Sequence, residues 1–431
     1  MKVYCLSLGC AKNRVDSECL AGELERAGHV LVDDIGFADV GILNTCGFIQ
    51  PATEESIAAI LDLEQLKNEG RLKKIGVVGC LVNRYSDDLI KEMPSVDFWA
   101  RSEDWASVIR SMGGLPEKNR CRGRLPSSSK ITRYLKISEG CGNKCTYCAI
   151  PGIRGGLRSL SIDTLVCEAD QLVKEGASEL CVVGQDLTVY GADIYGRESL
   201  TVLLDELERT LPKNIWLRLL YLHPSRITTA LLERVASGIQ ILPYLDIPIQ
   251  HADPEILSAM NRKISPEELT SIFNTARSIN DDFALRTTCM VGFPGEKKRH
   301  FDNLLAFVSA TRFDRIGAFA FYPEEGTEAE KMEGRVSDSV KQKRLKKLMV
   351  LQEEISAERQ EMFVGRVMDV LVERVDREAS FAEGRSFREA PEVDGLVEIR
   401  NISDKIKEGD IVKVRMTEAM PHDMVGEELI Q

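Results

Sequence analysis

Between residues 132 and 356 six short apolar runs recur, separated by stretches with helical spacing. The runs are RYLKIS, ELCVVG, WLRLLY, YLDIPI, FALRTTCMVG and RIGAFAFY, and the clearest helical stretches fall at 266–279 and 338–361. Parallel strands must be joined by a crossover long enough to return the chain, usually a helix. Six such units in succession predict a full or partial parallel barrel over 132–358. Enzymes of this architecture gather their chemistry at the C-terminal ends of the strands, so the residues just after each run are the ones to read.

The first run leads into EGCGNKCTYCAIPGIRG (139–155), in which Cys141, Cys145 and Cys148 are spaced C-x3-C-x2-C. A closed structural zinc site takes four ligands. No fourth thiol lies nearby and the five histidines are scattered. A four-iron cubane held by three cysteines leaves one iron open to a substrate or cofactor. The chemistry is then borne by the cluster, and no side chain is assigned as a catalytic acid or base. Other strand ends supply candidate cofactor contacts. Gly184 and Gln185 end the second run in VVGQD, and Gly292 and Gly295 follow the fifth in MVGFPGE. Glycine at such points lets backbone approach a ligand closely. Tyr147 stands beside Cys148.

Upstream, residues 1–112 alternate strand-like runs (KVYCLSLG, VGILNTC, KIGVVGC) with helical stretches at 15–28 and 52–70, a small parallel α/β domain. Cys10, Cys46 and Cys80 each follow one of these strands. Strand ends of a parallel sheet share one edge, so the three thiols converge although they are distant in sequence, and they form a second cluster site with an open iron. Residues 113–131 are rich in Gly, Pro, Ser and basic residues and read as a linker. Residues 362–431 hold strand-like segments with Gly- and Asp-containing turns and no helix, a five-stranded β-barrel. The whole is an α/β chain of three domains. It has no apolar run near the ~18 residues that span a bilayer, and its start lacks a secretory leader. A cytoplasmic location keeps thiols reduced, so the 12 cysteines do not read as a disulfide framework. Cys5, Cys19, Cys121, Cys167, Cys181 and Cys289 read as core or incidental residues.

The C-x3-C-x2-C spacing after a strand resembles the radical S-adenosylmethionine superfamily. SLGCAKNRVDSE (7–18), NTCGFIQPATEESI (44–57) and the Gly79–Cys80 pair resemble the N-terminal domain of methylthiotransferases within it. The resemblance covers the whole chain, ending in a TRAM-like barrel. It implies two [4Fe–4S] clusters, S-adenosylmethionine as cofactor, and an electron donor protein. It also implies insertion of a methylthio group into a C–H bond. YLKISEGC, CAIPGIRG, GQDLTVYG and EGRSFREAPEVDG (383–395) resemble the branch that modifies the β-carbon of one aspartate in small-subunit ribosomal protein S twelve, free or in the subunit. The other branch modifies an adenosine of transfer RNA. Leu160, where the family usually has arginine, and the Phe321–Tyr322 pair depart from the pattern.

Charge bears on that choice. The chain carries a net charge of −12, and residues 362–431 hold ten Lys and Arg against sixteen Asp and Glu. An RNA-reading barrel should be basic, because phosphate contacts supply most of the affinity. An acidic one suits a basic protein partner. The 383–395 segment reads as a long exposed recognition loop.

Overall fold

A computed structural model describes residues 1–116, 123–126 and 129–429. Part of the expected linker, and Cys121 within it, lies outside the described residues.

The N-terminal region forms a five-stranded sheet from β1 (Lys2–Ser7), β2 (Val30–Leu31), β3 (Val40–Thr45), β4 (Lys74–Gly79) and β5 (Phe98–Ala100), ordered β2-β1-β3-β4-β5 and parallel throughout. Helices α1 (Ala11–Arg26), α2 (Gln50–Asn68), α3 (Cys80–Glu92) and α4 (Trp105–Ser111) cover it. Every residue of β3 is buried, as a central strand covered on both faces requires. β2 and β5 are too short to leave an apolar run in the sequence.

The central region carries six parallel strands: β6 (Thr132–Lys136), β9 (Glu179–Val183), β10 (Trp216–Leu219), β11 (Tyr244–Asp246), β12 (Ala284–Val291) and β13 (Arg315–Ala320). A short antiparallel pair, β7 (Ser138–Glu139) and β8 (Arg158–Ser159), follows β6. The six strands form two three-stranded sheets, β10-β9-β6 and β11-β12-β13, joined by a bridge between Leu217 and Ile241. They make a partial barrel, open between β6 and β13. Helices Pro266–Ile279 and Asp338–Glu361 stand where the spacing predicts them, the first with a Ser265–Glu268 capping box.

The last region is a closed barrel, β14 (Val367–Asp376), β15 (Phe381–Arg385), β16 (Val397–Arg400), β17 (Ile411–Ala419) and β18 (Met424–Glu428), in the order β14-β15-β16-β18-β17. The five-stranded expectation holds. The exposed-loop expectation for 383–395 holds only at Glu392 and Val393. Gly384 and Arg385 end β15, and Ser386, Arg388, Glu389 and Ala390 are buried.

The inner face of the partial barrel explains that burial. Tyr134, Cys181, Trp216 and Tyr244 point inward and pack with Val15 and Cys19 of α1 on one side and with Leu371 and Ala390 of the C-terminal barrel on the other. The open barrel is thus filled by both neighbours. Charged groups are buried with it and are paired. Glu179 accepts from Arg218 at 2.7 Å and also from Arg385. Asp314 accepts from Arg277 at 2.6 Å and from Arg359 and Arg388 at 3.1 Å. The linker takes part too: Arg124, 4% exposed, bonds Glu18, Glu168 (2.8 Å) and the Tyr134 carbonyl (2.6 Å). Cys167, read from the sequence as a core or incidental residue, is disulfide-bonded. No helix among the described residues is long and apolar enough to cross a membrane.

Candidate iron–sulfur and cofactor site

The loop that carries Cys141, Cys145 and Cys148 leaves the barrel after β7 and is strapped back onto it. Cys141 N–H donates to the Gly155 carbonyl (3.0 Å) and Cys148 N–H to the Cys145 carbonyl (3.1 Å). Thr146 bonds the carbonyls of Met260 (3.2 Å) and Ala259 (2.9 Å), and Asn143 Nδ2 donates to Asp186 Oδ2 (2.8 Å). These anchors hold the three thiols in one short loop against the barrel. Burial, then the neighbouring Cys145 and Cys141, push the Cys148 thiol up to about 12, and burial raises Cys141. Arg262 Nη1 lies 3.8 Å from Cys145 Sγ. Iron binding displaces such protons and offsets the crowding of three sulfurs.

The second trio forms as the shared sheet edge demands. Thr45 pairs with Gly79 in register, so Cys46 and Cys80 emerge side by side. Cys10 comes up against Cys46 through Gly9, at φ +90°, where a β-carbon would stand 2.8 Å from Cys46 Cβ and 3.0 Å from its sulfur. Asn13 ties the three strand ends: its Nδ2 donates to the carbonyls of Leu8 (2.8 Å) and Thr45 (3.0 Å), and its Oδ1 lies 3.6 Å from Cys80 Sγ. Burial pushes Cys80 up to about 11 and raises Cys46. At Cys10 desolvation is outweighed by Lys12, the Asn13 N–H and Arg154, and the thiol lies below its ordinary range. Gly9→Ala combines a strained left-handed turn with a clash. Reconstituted Gly9→Ala protein should lose iron from this trio alone, read as a halved iron content with the core trio still loaded.

A cavity of about 400 Å³ is lined by Cys145 and Cys148, by Pro151, by Asn83 and Arg84 of α3, and by Glu325. Asn83 Nδ2 donates to the Ile153 carbonyl (2.9 Å), and Arg84 bonds the carbonyls of Gly47 (2.9 Å) and Glu325 (2.8 Å), closing the N-terminal region over the core. Between the trios the carboxylates of Asp16, Glu103 and Glu139 converge. Lys136 Nζ stands among them, 2.7 Å from Glu103 and 2.8 Å from Glu139, and Arg154 caps Asp16 and Glu139 at 2.9 Å. Arg158 Nη2 reaches Glu103 at 3.2 Å, so the group is an ion-pair knot of three carboxylates and three cations.

Polar atoms without partners collect at the C-terminal ends of the barrel strands. Ser138 Oγ, Gln185 Oε1 and Gln250 Oε1 are buried and unbonded. Tyr221 and Gln250, just past β10 and β11, both hold φ of +69°, a costly conformation for such residues. Buried acceptors left open cost stability unless a ligand meets them, so these atoms fit a bound polar cofactor. Of the expected contacts, Gln185 lies among them, its Nε2 donating to Glu139 (3.3 Å), and Gly184 abuts Ser138, whose Oγ would lie 2.8 Å from an added β-carbon. Tyr147 packs on Met260 and Phe293. Gly292 and Gly295 have local reasons to be glycine. Gly292 turns at φ +76° with Lys341 Cγ 2.3 Å from an added β-carbon, and Gly295, at φ +81°, donates to the Gly334 carbonyl (2.9 Å). Leu160 packs on the barrel core, Phe321 meets Phe293 edge-on at 5.3 Å, and Tyr322 is exposed.

Asn13, Arg154, Ser138 and Gln250 escaped the sequence reading. Asn13, Arg154 and Ser138 lie within the quoted motifs, close in sequence to Cys10, Cys148 and Cys141. Gln250 carries no such signal.

Comparison with known proteins gives three family matches: the uncharacterized protein family UPF0004 over residues 2–101, the radical SAM superfamily over 135–308 and the TRAM domain over 364–429. The chain is similar to the ribosomal protein uS12 methylthiotransferase RimO of Natranaerobius thermophilus, 40% identical over 99% of both chains. Its likeness to the RimO of Geobacter sulfurreducens is 40% over 99% of this chain and 98% of that one. The RimO of Aquifex aeolicus is likewise 40% identical, over 99% and 97%. Among solved structures, the radical S-adenosylmethionine methyltransferase TsrM from Kitasatospora setae superposes with a TM-score of 0.57 at 13% identity, covering 85% of this chain and 80% of that one. That likeness bears on fold alone.

Proposed function

The chain belongs to the ribosomal protein uS12 methylthiotransferases, radical S-adenosylmethionine enzymes with two [4Fe–4S] clusters, and on that premise we propose how its residues divide the work. Cys141, Cys145 and Cys148 hold the cluster that binds S-adenosylmethionine, and Cys10, Cys46 and Cys80 hold the auxiliary cluster that carries sulfur. The observation behind this division is that the loop of the core trio is bonded through Asn143 to Asp186, next to the open acceptor of Gln185 at a barrel strand end, while Cys46 and Cys80 leave paired strands of the N-terminal sheet.

The clusters and cofactor supply removal of a hydrogen atom from an unactivated carbon and its replacement by a methylthio group. The protein's part is placement. Asn143, held by Asp186 (2.8 Å) and by Arg226 (3.1 Å), fixes the loop between Cys141 and Cys145. Ser138 Oγ, Gln185 Oε1 and Gln250 Oε1 supply acceptors for the cofactor's amine and hydroxyls, with Gly184 and Tyr147 beside them. Gly292 and Gly295 shape the turn after β12. Arg84 and Asn83 line the cavity and tie α3 to the core through the Glu325 and Ile153 carbonyls.

The enzyme methylthiolates ribosomal protein uS12, and the acceptor is the β-carbon of one of its aspartates. An electron donor protein supplies the reducing equivalents from outside the chain, and the reaction is cytoplasmic. The transfer-RNA branch is not favoured.

Anaerobically reconstituted protein should carry about eight irons, as two four-iron clusters. Removing either trio should leave about four. A wild-type content near four would refute the division into two sites.

A further inference from the structure

Arg154 belongs to the segment that carries Cys148, yet its guanidinium reaches the other trio. Nε–H donates to Cys80 Sγ at 3.1 Å, Nη2 donates to Asn13 Oδ1, and Nη1 donates to Asp16 Oδ2 and Glu139 Oε2, both at 2.9 Å. Its side chain is 2% exposed. Four partners on three separate elements, α1, β7 and the start of α3, fix the fork in one orientation. Asp16 and Glu139 neutralise the cation while leaving the Nε–H edge on the sulfur. Such a fork suits Arg and not Lys, whose ammonium is a point charge on a flexible stem.

A hydrogen bond to a cluster sulfur makes an added electron less costly, because the donor's positive end faces the site where negative charge accumulates. Reduction potentials of iron–sulfur clusters follow such bonds together with net charge and exposure, and groups that orient metal ligands tune the metal. We propose that Arg154 is a positioning residue that holds the Cys80 thiolate for the auxiliary cluster and raises that cluster's reduction potential, so that the loop bearing one cluster tunes the other. This rests on the assignment of Cys10, Cys46 and Cys80 to an auxiliary cluster.

The test uses full-length protein in which Cys141, Cys145 and Cys148 are alanine, so that any cluster present is the auxiliary one. Arg154 is kept, or changed to Met or Lys, and iron content and midpoint potential are measured by anaerobic redox titration followed spectroscopically. Arg154→Met should shift the potential downward at unchanged iron per cluster-bearing chain. Arg154→Lys should recover part of the shift. Should Arg154→Met fail to fold or to load, Arg154→Lys decides: a potential below that of the Arg154 protein supports the inference. Variants that load iron at an unaltered potential overturn it and leave Arg154 a purely structural ion-pair partner. Absence of iron with Arg154 intact would instead refute the assignment of the second trio, and this inference with it.

Discussion

Replacing Cys10, Cys46 and Cys80 together with alanine is expected to leave reductive cleavage of S-adenosylmethionine to 5′-deoxyadenosine intact and to abolish methylthio transfer. Replacing Cys141, Cys145 and Cys148 should abolish cleavage itself. The asymmetry follows from geometry. The core trio is anchored to the barrel by Thr146 and Asn143, the latter through Asp186 next to the open acceptor Gln185 Oε1. The second trio is anchored to the N-terminal sheet by Gly9 and Asn13. Each anchor set survives loss of the other trio's sulfurs. Quantifying 5′-deoxyadenosine and modified uS12 in the same reaction separates the two roles. Methylthiolated product from the N-terminal triple variant would show that those thiols do not hold the transferred sulfur.

Deleting residues 362–431, or breaking their charged contact with the barrel, is expected to unfold the radical core rather than merely to weaken substrate binding. An acidic recognition barrel should be dispensable for cofactor cleavage, but this one lends residues to the core. Arg385 and Arg218 share the fully buried Glu179, and Arg218 also donates to the carbonyls of Phe387 (2.8 Å) and Ser386 (3.2 Å). Tyr244 Oη donates to Asp394 Oδ2 at 2.6 Å, and Arg14 of α1 pairs with Glu392. Removing one partner from a buried ion pair costs about 3–5 kcal/mol, so Glu179→Ala, which leaves Arg218 without a carboxylate and Arg385 with Glu373 alone at 2.8 Å, should lower the denaturation midpoint steeply. The same contact sets an acid limit. Burial opposes ionisation of Glu179, but Arg218 and Arg385 outweigh it and hold its carboxyl down at about 2, against 4.5 for a free glutamate. A depressed folded-state pKa stabilises above the unfolded value and is lost as the pH falls toward the folded one. Stability should therefore fall between about pH 4.5 and pH 2, and Glu179→Gln should flatten that part of the profile. A truncated protein that stays folded and cleaves cofactor would contradict this account.

The six thiols were legible because two local rules locate them: C-x3-C-x2-C after a strand, and three cysteines each closing a strand of a parallel sheet. Helices 266–279 and 338–361 were legible from apolar spacing and, for the first, its Ser265 cap. The 383–395 segment misled for a physical reason. Arg385, Arg388, Glu389 and Asp394 look solvent-exposed in a sequence, since such groups are rarely buried unpaired. Their partners, Glu179, Asp314, Arg315 and Tyr244, are distant in the chain. Arg124 hid in the linker in the same way. Asn13 and Arg154 were illegible as site residues because their role lies in bonds across domains. Gly292 also has a reason for being glycine that the sequence hides, since a β-carbon there would meet Lys341 from a distant helix.

The most direct test of the function is a single incubation. Fully reconstituted enzyme, S-adenosylmethionine and reductant are supplied with small ribosomal subunits and bulk transfer RNA together, and both products are analysed by mass spectrometry. The expected result is one methylthio group on an aspartate of uS12, with transfer RNA unchanged. Methylthiolated adenosine in the transfer RNA, with uS12 unmodified despite full cofactor cleavage, would contradict it.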